Sequence, residues 1–311
     1  MPHISRQLPD FYNFDQDIVE VVDRVAAESK RCSFEELAQI YGISSGPYVP
    51  KTPYELFEVL DFKPNLSADN TDINHARVYH STEPLTDKRT ALRAMQLFMS
   101  DPSVRLIALS DAAAGKSNYS RIPIRQIKSV WDGDLGALVN KTTWYLDQLG
   151  IRSVDQIGAG AGADISVASC QSAQQLRIRV EKAVWIDPVS ITHDRSFLEL
   201  VVSDLMDECQ LKRSVPIEHN NNPLNLLSRM AMAKALSGER FLQRIDSAKS
   251  AQGDMKATIA WGTDGLMAVN KYFDERLSGR SLGRIKVERV VRPEEDIVYA
   301  AIAMQGLRMA T

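Results

Sequence analysis

The sequence predicts an α/β fold, in which a mostly parallel sheet is covered by helices on both faces. Short apolar strand patterns alternate with amphipathic helical patterns from residue 73 to residue 309, as in proteins built from βαβ units. Two of the strands, Val104–Leu109 and Ala183–Ile186, are nearly continuous apolar runs, which is typical of buried parallel strands. A glycine-rich turn at residues 158–162 follows one strand and opens a helix.

Composition and charge place the chain among ordinary globular proteins. It has 311 residues, of which 44% are hydrophobic and 25% charged, enough for one large core with an appended subdomain. The net charge of -3 and the lack of Lys or Arg runs argue against a nucleic-acid partner. No apolar stretch reaches the roughly 18 residues of a membrane span. The N-terminus lacks a signal-peptide pattern, so we expect a cytoplasmic location or a particle assembled inside the cell.

The three cysteines give no sign of a disulfide framework or a metal centre. Cys32, Cys170 and Cys209 are odd in number and widely spaced along the chain. We therefore expect reduced thiols, no metal and no cofactor.

The predicted organisation has three parts. Residues 1–72 are mainly helical and irregular, with a capping box at Ser33-Phe-Glu-Glu36, and form an N-terminal helical extension or arm. Residues 73–188 and 256–311 form the α/β core. Residues 189–255 contain amphipathic helical patterns and no convincing strand, which predicts a helical lid or cap inserted between two strands of the sheet.

The individual elements of the core follow from hydrophobic periodicity. Strands are predicted at 76–80, 104–109, up to 157, 183–186, 257–261 and 285–291. Helices are predicted at 87–100, 124–150, from the glycine-rich turn to about 180, from 265 to about 276, and 294–309.

The glycine-rich turn fits two known uses of a strand–turn–helix unit. As a dinucleotide fingerprint it reads Gly158-x-Gly160-x-x-Ala163, with Asp187 at the end of the next strand in the place of a ribose-binding acid. As a nucleophile elbow, whose pattern is Gly-x-Ser-x-Gly, it reads Gly158-Ala-Gly-Ala-Gly162, and Gly160 stands where the nucleophile belongs.

The order of the motifs at the strand ends resembles the α/β-hydrolase family over residues 73–309. Tyr79-His-Ser81 resembles the segment that supplies part of the oxyanion hole, and Leu109–Ser117 resembles the loop after the next strand. The strand that ends at Asp187-Pro188 is also similar, and Ile259–Asp264 looks like the strand whose acid belongs to the catalytic triad. The resemblance implies this family's fold and, for Asp264, the position of the triad acid.

The same resemblance implies a degenerate member without the standard hydrolytic mechanism. The mechanism needs a nucleophile, a His and a carboxylate. Gly160 has no side chain, and no His follows His219, so only Asp264 matches its triad position. We therefore predict that no residue is catalytic and that Gly160 and Asp264 are relict positions.

Substitutes for the missing groups have ordinary structural explanations. Ser166, Ser169 and Cys170 lie inside the helix after the turn, where buried packing is expected. His193 and His219 fall in the predicted lid region and are expected to be ordinary loop histidines.

The sequence thus predicts a noncatalytic structural or interaction subunit of a larger assembly, for which a virus particle is one example, with protein partners or self-association. Two alternatives stay open: an enzyme of this fold with an unusual site, such as a lyase or a cofactor-free oxygenase, and a dinucleotide-dependent oxidoreductase that uses the Gly158–Ala163 turn. A small anion could also bind at the helix N-terminus formed by Ala161 and Gly162, beside His80.

Overall fold

The computed structural model describes residues 16–41, 57–64, 74–113, 116, 121–191, 223–237, 240–262, 285–290, 300, 301 and 303–306. The helices are α1 (Gln16–Glu28), α2 (Phe34–Ile40), α3 (Lys88–Met99), α4 (Ile124–Trp131), α5 (Gly136–Gln148), α6 (Ala161–Gln175), α7 (Pro223–Leu236) and α8 (Arg240–Gln252). The strands are β1 (Val59–Phe62), β2 (His75–His80), β3 (Arg105–Leu109), β4 (Ser153–Ala159), β5 (Arg179–Ile186), β6 (Lys256–Gly262) and β7 (Ile285–Val290). A short 3-10 turn covers Val189–Ile191, and the described residues of 300–306 are helical.

The strands form a single seven-stranded sheet in the order β1-β3-β2-β4-β5-β6-β7. Among the described strands, only β1 runs antiparallel to its neighbour, and the five other pairings are parallel. The predicted fold class is therefore confirmed. The strand β4, which leads into the glycine-rich turn, is the fourth of the seven and lies at the centre of the sheet, where its end is flanked by the ends of β2 and β5.

Helices pack on both faces of the sheet, as the alternating pattern predicts. On one face, residues of α5, α6 and α8, among them Tyr145, Val167 and Phe241, form a buried cluster with β-strand residues. On the other face, residues of α1 and α3, among them Val22 and Met95, share a second cluster with strand residues and with the helical residues near 300. No helix in the described ranges is both long and apolar enough to cross a membrane.

The helices α1 and α2 pack on the core. The capping box at the start of α2 is present, since Ser33 N–H donates to Glu36 Oε2 (2.7 Å) and Glu36 N–H donates to Ser33 Oγ (3.2 Å). The side chain of Gln96 in α3 donates to the carbonyl of Val22 in α1 (3.2 Å). The bond between Gln96 and Val22 joins the predicted extension to the helix layer that covers the sheet.

The sheet begins earlier in the chain than predicted. Residues 59–62, placed by the sequence analysis in the N-terminal extension, form β1, which is fully buried and pairs with β3. Asp61 obscures the apolar pattern of this strand, but its carboxylate is bound by both ends of the Arg105 guanidinium (2.8 and 2.6 Å). The charged residue is therefore compatible with an edge strand.

The predicted helix at 124–150 consists of two helices, α4 and α5. The break lies at Gly133, which has a φ of +95°, a conformation that L side chains rarely adopt. Asp134 then accepts from the N–H of Gly136 (2.7 Å) and from Ser129 Oγ (2.8 Å). This carboxylate holds the turn and starts the second helix.

The C-terminal part of the predicted lid belongs to the core. Helix α8 lies within the range 189–255, yet Phe241, Leu242, Ile245 and Ala248 are buried in the main cluster beneath the sheet. The ring of Phe241 meets Trp185 of β5 edge to face, with 5.9 Å between the ring centres. The helix is thus the crossover between β5 and β6. Residues 192–222, in the middle of the predicted insertion, lie outside the described residues.

Candidate functional site

The glycine-rich turn has the backbone geometry of a sharp elbow. Gly160 connects β4 to α6 with φ 54° and ψ -125°, a combination that is strained for any residue with a side chain. Its N–H donates to the carbonyl of Ile186 at the end of β5 (2.8 Å). The predicted strand, tight turn and helix are all present, with Gly160 at the apex.

The two flanking glycines are required by close packing. A Cβ on Gly158 would overlap the backbone of Gly162, and a Cβ on Gly162 would overlap the carbonyl oxygen of His80 at the end of β2. Both neighbours are backbone atoms, which cannot move aside as a flexible side chain can. The spacing of these glycines therefore follows from how tightly α6 is set against the strand ends.

The apex itself has room for a side chain. A Cβ on Gly160 would have as its nearest neighbours Thr82 Cγ2 at 3.9 Å and Val189 Cγ2 at 4.0 Å, which are ordinary van der Waals distances. The position therefore has space for a side chain above the central strand, although its backbone conformation would be strained for a residue that carries one.

Two neighbouring strand ends bring a histidine and a carboxylate together beside the elbow. His80 ends β2, and Asp111 follows β3; His80 Nδ1 lies 2.8 Å from Asp111 Oδ2. Asp111 Oδ1 also accepts from the N–H of Ala112 (3.0 Å). His80 was predicted from the sequence and Asp111 was not, although residues that follow adjacent parallel strands meet at one edge of the sheet.

The His80 imidazole is enclosed by protein. His80 is 2% exposed, and its Nε2 has no hydrogen-bond partner among the described residues. If Asp111 accepts the Nδ1 proton, Nε2 carries a lone pair and can accept a proton. Among the predicted anion ligands, Gly162 is also buried and Ala161 is half-buried. The anion site at these three residues stays a prediction.

The hydroxyl and thiol groups inside α6 have structural partners. Ser166 Oγ and Ser169 Oγ both donate to Gln156 Oε1 of β4 (2.9 Å each), and Trp185 Nε1 donates to Ser166 Oγ (3.1 Å). Burial raises the pKa of the Cys170 thiol to about 12, which keeps it protonated and unreactive. This arrangement agrees with the prediction of buried packing for all three residues of the helix.

The relict acid Asp264 and the histidines His193 and His219 lie outside the described residues. Within the described ranges, no group of three or more His, Cys, Asp or Glu side chains is arranged to hold a metal ion.

Solved structures with a similar fold match most of the chain. A carboxylesterase from Bacillus subtilis has 15% identity and a TM-score of 0.51, and the match covers 94% of this chain and 99% of the esterase. The naproxen esterase of the same organism has 12% identity and a TM-score of 0.51, and the match covers 95% of this chain and 99% of that esterase. A bromoperoxidase from Bacillus anthracis has 12% identity and a TM-score of 0.53, and the match covers 85% of this chain and 99% of the bromoperoxidase.

These similarities define the class of the protein: it has the α/β-hydrolase fold. The named neighbours are enzymes, but identities of this size establish the fold and not the reaction. No protein-family model and no curated protein matches the sequence.

Proposed function

We propose that this chain is a noncatalytic member of the α/β-hydrolase fold that acts as a binding or structural subunit. The observation that carries this proposal is the backbone of Gly160, which has the elbow conformation and space for a Cβ but no side chain. Acyl transfer through this elbow needs an oxygen or sulfur atom at its apex. A hydrogen atom in that position leaves the fold intact and removes the covalent step.

Nearby side chains offer poor replacements for the missing nucleophile. Ser166 and Ser169 are buried and bonded to Gln156, and Cys170 is buried with a raised pKa. Thr82 borders the elbow and is half-buried, but the atom that comes nearest to the apex is its methyl carbon. A nucleophile must also contact a base, and no described hydroxyl or thiol forms a hydrogen bond with His80 Nε2.

Exposed apolar side chains support an interaction role. Ile124 at the start of α4 is 69% exposed, and Leu226 and Leu227 in α7 are 49% and 44% exposed. The two helices are adjacent, since the N–H of Ile122 donates to Ser228 Oγ of α7 (2.9 Å). Exposed apolar residues on neighbouring helices are found on surfaces that contact another protein. We infer a protein partner or self-association through this surface.

Hydrolysis assays on the wild type and on Gly160→Ser test the absence of covalent chemistry. We expect the wild type to give no burst with activated esters and no labelling by a fluorophosphonate, and Gly160→Ser to fold. Gly160→Ala is the matched control, because it has the same backbone strain without the hydroxyl. Ester cleavage by the wild type that a serine-directed probe blocks would show that a nucleophile exists elsewhere.

Measurement of native mass tests the interaction role separately. Light scattering on the wild type and on Leu226→Ser/Leu227→Ser should show a smaller particle, or loss of the co-purifying partner, for the variant. The matched control is Ile40→Ser, which changes a side chain that is 60% exposed on α2, away from these helices. A wild type that is monomeric and purifies alone would contradict the interaction role and leave the catalytic question untouched.

A second candidate is an enzyme of this fold that transfers protons without a covalent intermediate. The pair His80–Asp111 favours it, because Nε2 of a carboxylate-bound imidazole is a competent base. Substrate access would require a movement, since His80 is 2% exposed. Deuterium incorporation into a panel of acidic ketones in D2O, lost in His80→Gln, would support this candidate.

The dinucleotide alternative has weaker support. The turn follows β4, the fourth strand along the chain, whereas the dinucleotide fingerprint follows the first strand of its domain. The carbonyl of His80 also packs on Gly162, where a pyrophosphate would have to approach the helix. Quenching of the protein's tryptophan fluorescence by NADH or FAD at micromolar concentration would revive this alternative.

A further inference from the structure

A buried carboxylate in the first turn of α6 holds the turn that follows β5. Asp164 is fully buried, and its Oδ2 accepts from the backbone N–H groups of Val189 (3.0 Å) and Ser190 (3.2 Å). Its Oδ1 accepts from Ser190 Oγ and from Arg244 Nη1, the latter at 2.8 Å. Four donors thus converge on one side chain next to the elbow.

Arg244 connects this carboxylate to three other elements. It extends from α8, and its Nη2 donates to the carbonyl of Gly133 between α4 and α5 (3.4 Å) and to that of Ala235 in the last turn of α7 (3.3 Å). Its Nη1 also donates to Ser190 Oγ (3.1 Å). The guanidinium therefore fixes the position of Asp164 relative to the surrounding helices.

The turn held by Asp164 forms one side of the space above the elbow. Val189 Cγ2 lies 4.0 Å from the point where a Cβ on Gly160 would stand, and Thr82 Cγ2 lies on another side at 3.9 Å. The segment of Thr82 is fixed separately, because the N–H of Ser81 donates to the carbonyl of Leu109 (2.8 Å). Of these two described sides, the Val189 side is the one that depends on the buried ion pair.

A buried ion pair is a costly way to stabilise a fold, because both charges lose their water. Burial raises the pKa of Asp164 and lowers the pKa of Arg244, so each charge is maintained mainly by the other and by the converging donors. Apolar residues of similar volume often stabilise a protein equally well, whereas an ion pair specifies one geometry. This argues that the pair is present to position something.

We propose that Asp164 and Arg244 form a clasp that fixes the turn at Val189–Ile191 beside the elbow. Asp164 is the positioning residue, and Arg244 orients it. The clasp fixes Val189, which forms one wall of the space above Gly160. This role does not depend on which ligand the space binds or on which residue stands at the apex. This role goes beyond the noncatalytic function proposed above and holds equally for a catalytic protein.

Amide hydrogen exchange tests the clasp directly. In Asp164→Asn we expect the amides of Val189 and Ser190 to lose protection by about tenfold or more, the effect of one lost hydrogen bond to a charged group on a local opening. Peptides from β4 and β5 should keep their protection. Asp147→Asn is the matched control, because it makes the same change in an exposed pair in which Asp147 and Arg152 side chains are 30% and 54% exposed.

Two outcomes would overturn the clasp. One is unchanged protection at Val189 and Ser190 in Asp164→Asn, and the other is an equal loss across β4 and β5, which would make the pair a general stability element. If Asp164→Asn does not fold, the same exchange measurement on Ser190→Ala tests the clasp, since this variant removes one hydroxyl and leaves the ion pair in place. Protection must then fall at Ser190 and Val189 alone.

The labelling rate of a thiol placed at the apex is a second measurement. This rate would not change if the ion pair only stabilised the fold. We expect Gly160→Cys, combined with Cys32→Ser and Cys209→Ser, to react with a bulky maleimide several-fold faster when Ser190→Ala or Asp164→Asn is added. Equal labelling rates with and without these changes would show that the wall at Val189 is set by something other than the clasp.

Discussion

The carbonyl oxygen of His80 lies so close to the Cα of Gly162 that no side chain fits between them. This contact sets the N-terminus of α6 directly against the end of β2. A similar contact exists between Gly158 and the backbone of Gly162. The elbow is thus fixed by its flanking glycines, and its apex is the position of the three that has space for a side chain.

Alanine substitutions along the elbow should therefore differ sharply in their effect on stability. Gly158→Ala and Gly162→Ala force backbone atoms apart, and we expect each to lower the free energy of unfolding by about 3 kcal/mol or more. Gly160→Ala meets only methyl groups at van der Waals distance. Its cost is therefore backbone strain alone, about 1–3 kcal/mol. Urea unfolding of the three variants measures the order. An equal cost at all three positions would show that close packing does not explain the glycine spacing.

The sequence was sufficient to predict the elbow because its glycines have a local cause. A turn that must pass close to neighbouring backbone needs residues without side chains, and that need is visible in the spacing of Gly158 and Gly162. The partner of His80 was not visible. Asp111 is distant in sequence and is brought to His80 by the pairing of β2 with β3, which only the sheet order reveals.

The errors in the fold have a related physical origin. The apolar face of α8 indicates that the helix is buried, but periodicity does not say whether Phe241 packs on a sheet or covers a site. Strand β1 is only four residues long and contains Asp61, so it lacks a clear alternating pattern. The break at Gly133 was missed because a single glycine within a helical pattern is often tolerated. The role of Asp164 was not visible in the sequence, because acidic residues are common in the first turn of a helix.

The buried thiol of Cys170 should be silent in the folded protein. Burial raises its pKa to about 12, so almost no thiolate exists at pH 8. In a Cys209→Ser background, we expect a thiol reagent to modify the partly exposed Cys32 in native protein and to modify Cys170 only in denaturant. Cys32→Ser in the same background is the control and should leave no rapid reaction. Fast native labelling of Cys170 would contradict its burial.

The contact between Tyr41 and Glu28 should make the N-terminal helices sensitive to high pH. Burial and the hydrogen bond from Tyr41 Oη to Glu28 Oε2 (2.6 Å) raise the pKa of the phenol to about 12. The folded state therefore holds this proton more tightly than the unfolded chain, whose pKa is about 10. The resulting stability is fully present below about pH 10 and is lost as the pH rises towards 12.

Comparison with Tyr41→Phe isolates this contribution, because phenylalanine cannot titrate. The wild type should exceed the variant in unfolding free energy by about 1 kcal/mol at pH 8, and the difference should shrink between pH 10 and pH 11. Urea titrations followed by circular dichroism give both values. Parallel curves for the two proteins over this range would show that the Tyr41 proton is not linked to folding.

The turn at Gly133 should be more sensitive to substitution than a glycine with a similar backbone in open space. Gly133 has a φ of +95°, and a Cβ there would overlap the guanidinium of Arg240. Gly253 also has a positive φ, +48°, but nothing lies within 4 Å of its added Cβ. We expect Gly253→Ala to cost about 1–2 kcal/mol from strain alone. Gly133→Ala must also displace the Arg240 guanidinium, which is the end of a flexible side chain and can move aside, so we expect only a modest extra cost.

A double-mutant cycle identifies the source of the excess. Arg240→Ala removes the side chain that occupies the space above Gly133, so the extra cost of Gly133→Ala should largely disappear in the double variant. The remaining cost should approach that of Gly253→Ala, since both positions then retain only backbone strain. If Gly133→Ala costs the same with and without Arg240, the break between α4 and α5 depends on backbone conformation alone, and the position of the arginine over the turn is incidental.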